Sequence, residues 1–147
     1  MPWRAIGFVP IGSGLNRRTL VYDKDVGRAA LLAVSHPAAA GRVFNVTDGK
    51  FHTLNEIIES ICSALGRKPP RLSLPVGPMR FAAGIVEDLV RLVGRQAQIS
   101  RVTIEKYTED IAVDSSRIQT ELGFKPQYDL RSGWEETVQE MRRMGEL

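Results

Sequence analysis

Apolar residues spaced three and four apart dominate this chain, and TLNEIIESICSALG, residues 53–66, shows the pattern most completely. Thr53 and Glu56 stand at capping-box spacing, and Leu54, Ile57, Ile58, Ile61, Cys62 and Leu65 share one face. Gly66 supplies a left-handed stop. Further helical stripes are expected over 24–35, ended by His36-Pro37, over 76–93, from Asp114 as cap through Leu122, and from Asp129 through Met141. A short helix is expected after Ser100. In the helix over 24–35, Asp23 is expected to cap and Asp25 to sit in the favourable first turn. Glu135 and Glu136 read as the acidic first turn of the last helix.

Strand signals are fewer and shorter. Residues 6–11 and 19–22 read as strands joined by the Gly12-Ser13-Gly14 turn, and 42–46, 71–74 and 111–113 as short extended pieces. The Gly-Ser-Gly pair invites a phosphate-loop reading, but a dinucleotide loop needs a third glycine where Arg17 stands, with a helix opening there. A β-branched and aromatic run follows instead. The fold class is therefore α/β, helix-rich with short strands, and too few strands alternate with helices to complete a doubly wound sheet.

At 147 residues and 43% hydrophobic content, the chain is expected to form a single domain spanning 1–147. A net charge of +3 from 20 basic and 17 acidic residues is too small and too evenly spread to indicate nucleic acid or a membrane surface. The lone Cys62 reads as a buried small hydrophobe, which fits a cytoplasmic setting. No apolar run approaches the length of a membrane span, and no signal peptide is evident at Met1. His36 and His52 have no cysteine or histidine at ligand spacing and read as surface or capping residues, so no metal is expected. No nucleophile elbow, Walker loop or paired catalytic carboxylates are found, and no catalytic residue is assigned.

Three stretches in order carry a resemblance: GSGLNRRTLVYDKDVGRAALLA, HPAAAGRVFNVTDGKFHTLNEIIESICSALG and VDSSRIQTELGFKPQYDLRSGWEETV. They resemble the C-terminal, substrate-binding half of the NAD-dependent epimerase/dehydratase family, the extended short-chain dehydrogenases acting on nucleotide sugars, UDP-glucose 4-epimerase among them. The resemblance covers 6–141. It implies that the Rossmann half, with its NAD loop and Tyr-x-x-x-Lys pair, is absent. Tyr22, Tyr107 and Tyr128 are followed four residues later by Val26, Ile111 and Ser132. The expectation is a truncated product that binds no NAD, is inactive alone, and takes a UDP-type nucleotide sugar weakly. It is also expected to form a homo-oligomer through exposed apolar faces.

By resemblance, Arg18 contacts the diphosphate, Asp25 supports that loop, and Arg101 or Lys106 stands in for a second phosphate arginine. Asn45 and Asp114 match family positions, while Arg117 and Phe124 replace the usual lysine and tryptophan, and Asp23 an apolar residue. The alternative is a non-catalytic binding or interaction module built on the same fold.

Overall fold

The computed structural model describes residues 10, 12–70, 73–78, 81, 84 and 109–147. The chain divides into two compact units, one comprising Arg17–Pro69 and Ile111–Leu147, the other Pro2–Asn16 and Pro70–Asp110. Most of the helix expected over 76–93, and the whole of the one after Ser100, lie outside the described residues.

In the first unit the order is β1 (Arg17–Arg18), α1 (Asp23–Ser35), a 3-10 turn (Pro37–Ala39), β2 (His52–Thr53), α2 (Leu54–Leu65), α3 (Ser116–Leu122) and α4 (Leu130–Arg143). The helix-rich class with few, short strands is thus what the structure shows. β1 and β2 run antiparallel, with Arg17 opposite Thr53 and Arg18 opposite His52, and Arg18 also bridges Ile111 in parallel. The ladder therefore falls two residues before the run expected at 19–22. Residues 19–20 still make cross-chain bonds: Asp48 N–H donates to the Leu20 carbonyl at 2.8 Å and Val113 N–H to Thr19 Oγ1 at 3.2 Å. The partner is the segment before α2, whose backbone groups the sequence pattern alone does not reveal.

The helix ends follow local chemistry. Thr53 Oγ1 accepts from Glu56 N–H while Glu56 reaches back to Thr53 N–H, and Gly66 ends α2 at φ 70°. Those N–H and hydroxyl bonds from Thr53 hold the Glu56 carboxyl below its ordinary pKa. Removing the cap oxygen in Thr53→Ala is expected to destabilise the fold by about 1 kcal/mol, read as an earlier urea midpoint at unchanged slope.

Asp129 caps α4 through a reciprocal bond pair with Ser132. Elsewhere the caps differ from expectation. α1 begins at Asp23 itself, whose carboxylate among the described residues accepts from the adjacent Lys24 N–H alone, and Tyr22 is the cap position. Ser115 precedes α3, while Asp114 accepts from the Ser116 N–H and hydroxyl. Glu135 and Glu136 fall in the second turn of α4, pairing with Arg131 and Lys24.

Ala29, Ile118, Leu122 and Phe124 form the buried core, with Leu32, Ala33, Phe44 and Val46 packed on it. α2 packs on α4, burying Ile57 and Ile58 on one helix and Val138 on the other. Cys62, expected to be buried, is only half-buried, because it lies at the edge of the α2 stripe.

In the second unit, Leu74 N–H donates to the Pro10 carbonyl at 2.8 Å and Gly12 N–H to the Leu74 carbonyl at 2.9 Å. This places an extended contact within the stretch expected at 71–74. Residues 6–9, the other proposed hairpin arm, lie outside the described residues.

Candidate functional site

Gly12 and Gly14 adopt φ 89° and 68°, the left-handed geometry of a tight turn. The chain then runs into β1 without opening a helix at Arg17, so the phosphate-loop reading, which needs a helix to start there, fails on geometry.

Antiparallel partners project to one face of a ladder, so Arg18 stands on the His52 face and Arg17 on the Thr53 face. The Arg17 guanidinium lies over the exposed Phe51 ring, 5.7 Å from its centroid. Arg18 is half-buried, held by the β2 ladder on one side and by the bridge to Ile111 on the other.

His52 is neither a surface nor a capping residue. It is buried, and its Nε2 shares a hydrogen bond with Asp48 Oδ2. The Asp48-Gly49 turn, with Gly49 at φ 82°, folds the chain back so that residues four apart meet outside any helix. That turn signal beside a histidine was readable in the sequence. Thr47 bonds Ser115 at 2.6 Å and ties the turn to the start of α3. His36 does cap, accepting the Ala38 N–H at the 3-10 turn.

On the His52 side lies a polar cleft of about 370 Å³, lined by Lys50, His52 and Arg131, by Glu56, Glu59 and Asp129, and by Ser60 and Ser63. The mixed donors and acceptors suit a hydroxyl-rich ligand. No group of three metal-ligating side chains is found among the described residues.

Asp25 is fully buried. Its carboxylate accepts from the Gln127 and Tyr128 N–H groups, each at 2.9 Å to Oδ2, and from Arg28 Nη1 at 2.7 Å. It therefore binds the loop before α4 to α1, a role that a first-turn position did not suggest. Asn45 donates to the Asp114 carbonyl at 3.1 Å, joining the 42–46 segment to the start of α3. Arg101 and Lys106 lie outside the described residues, so of the four sequence candidates only Arg18 and Asp25 are placed.

No family model matches the chain. Among relatives, an uncharacterized protein, y4nL, of Sinorhizobium fredii is 34% identical over an alignment of 139 positions that covers 89% of this chain and 38% of that protein. UDP-glucose 4-epimerase of Vibrio cholerae is 27% identical over 132 residues, covering 89% of this chain and 37% of the epimerase. Among solved structures, gox2253 aligns with a TM-score of 0.70 at 21% identity, over 90% of this chain and 39% of its own. A Thermotoga maritima UDP-glucose 4-epimerase with UDP-glucose aligns at 0.58 and 24% identity, over 91% and 34%.

The architecture is thus a portion of the extended short-chain dehydrogenase fold. Within it, the chain is similar to the C-terminal part of the NAD-dependent epimerase/dehydratase family and spans under two-fifths of the length of these relatives.

Proposed function

We propose that this chain is the substrate-side portion of a nucleotide-sugar epimerase or dehydratase and that Arg18 is its diphosphate contact. The observation that carries the reading is the position of Arg18, its backbone fixed between β2 and Ile111 and paired with His52, a residue that lines the polar cleft. A guanidinium on a backbone held from both sides loses little freedom when it meets two phosphate oxygens, and its planar fork binds them in parallel. The mixed donors and acceptors of the cleft that His52 lines suit a sugar. Partial similarity to UDP-sugar epimerases supports the same ligand class. Chemistry at the sugar belongs to a Tyr-x-x-x-Lys pair and a cofactor loop that this sequence does not hold, so the chain by itself is proposed to bind without turnover.

Titration calorimetry with UDP, UDP-glucose and NAD tests this. UDP and UDP-glucose are expected to bind near the millimolar range, about 4 kcal/mol of binding free energy, because only part of the pocket wall is present. Arg18→Ala is expected to weaken both by about tenfold with an unchanged circular dichroism spectrum. UDP binding indifferent to Arg18→Ala removes the role given to this residue, and micromolar NAD binding overturns the proposal as a whole.

A further inference from the structure

A second cleft, of about 420 Å³, lies between the segment leading into α1 and the body of α4. Its walls are aromatic and apolar: Tyr22, Tyr128 and Trp134, with Leu20, Met141 and Met144. The Tyr22 and Tyr128 rings touch with centroids 4.4 Å apart and planes tilted by 42°, and Tyr22 lies over Gly133 of α4.

The charged groups among its described lining residues are all carboxylates: Asp23, Asp48, Asp129 and Glu140. Asp48 shares a hydrogen bond with His52, and Glu140 pairs with Arg143. Asp23 and Asp129 make no ion pair among the described residues; their bonds are to backbone N–H groups and to Ser132. The Ser132 bonds, with the Lys50 charge beside them, keep the Asp129 carboxyl below its ordinary pKa, so it is charged at neutral pH.

An aromatic hollow edged by carboxylates disfavours a phosphate. It attracts the opposite charge, because ring faces carry negative potential and carboxylates add to it. The protein displays this preference internally. Lys24, tethered by Glu136, holds its ammonium 5.8 Å from the centroids of both tyrosine rings.

The geometry points to this cleft as a binding site for small organic cations, an alkylammonium or quaternary ammonium group carried on an apolar body. The volume lies within the range of small-molecule sites, and the apolar walls take the body while rings and carboxylates take the charge. Nothing in this assignment depends on Arg18 or on the sugar-nucleotide reading.

Choline and its uncharged isostere 3,3-dimethylbutan-1-ol distinguish charge recognition from apolar filling. Both are titrated into isotope-labelled protein while the Trp134 indole N–H is followed by NMR, with Trp134→Phe assigning the signal. Choline is expected to bind in the millimolar range and about fivefold or more above the isostere. The paired changes Asp23→Asn and Asp129→Asn, the second of which keeps a competent cap residue, are expected to remove most of that preference. Lys24→Ala takes away the competing ammonium from an exposed position and is expected to tighten choline binding about threefold. That gain cannot be produced by misfolding. Equal binding of choline and the isostere, or no response of Trp134 to either ligand in the wild type and Lys24→Ala, overturns the assignment.

Discussion

Asp25→Ala is expected to lower the melting temperature by about 10 °C, from a loss of about 3 kcal/mol in a domain of this size. The substitution strands the Gln127 and Tyr128 N–H groups, which now donate to a fully buried carboxylate, and it frees Arg28 from its partner. An unsatisfied buried donor loses its water without replacement, whereas Arg28, 39% exposed, recovers solvent easily. Arg28→Ala is therefore expected to cost about 1 kcal/mol or less. Equal effects of the two substitutions would show that the ion pair, not the backbone bonds, holds the loop.

The same carboxylate makes stability depend on acid. Burial raises its pKa, but the Tyr128 and Gln127 N–H groups and Arg28 outweigh that, and the net direction is downward. A group with a depressed folded pKa stabilises the fold fully above its unfolded pKa, about 3.9 for aspartate. The contribution is lost as pH falls through the lower folded value. Acid unfolding below about pH 4 is expected to be blunted in Asp25→Ala relative to wild type, since the variant has no such carboxylate to protonate.

Phe124→Ala is expected to remove about 3–5 kcal/mol, the range for an aromatic deleted from a packed core. Phe124 is 3% exposed and sits with Ala29, Ile118 and Leu122, so one substitution opens a void against both α1 and α3. The check is urea unfolding: the midpoint should fall sharply with the slope preserved. A loss below about 1 kcal/mol would mean that the half-buried Phe44 and Val46 collapse into the space, and that the core is less tightly packed than its burial indicates. Phe124→Leu, closer in volume, is expected to cost about 1.5 kcal/mol or less.

The legible parts of this protein are those whose physics is local. Thr53, Glu56 and Gly66 fix the ends of α2 because a cap bonds its own first turn and a left-handed glycine closes its own last one. Asp129 and Gly123 were readable for the same reason. The ladder was misplaced because its partner is 34 positions away, and the β-branched run at 19–22 shows strand propensity without showing which residues it will meet.

The same division applies to the site. Arg18 was singled out by its neighbourhood in the sequence, but only the tertiary structure paired it with His52 and bridged it to Ile111. Asp25 looked like an ordinary first-turn acid, and His52 like a cap. Each became buried and bonded because distant backbone arrived: the 127–128 N–H groups over one, the Asp48 turn beside the other. By itself the sequence determined the four helices α1 to α4, the caps of α2 and α4 and the family resemblance, since these rest on periodicity, capping and ordered motifs. The tertiary structure alone decided which carboxylates are buried, which face of β1 each arginine occupies, and where the two clefts open, because burial and pairing depend on segments far apart in the chain.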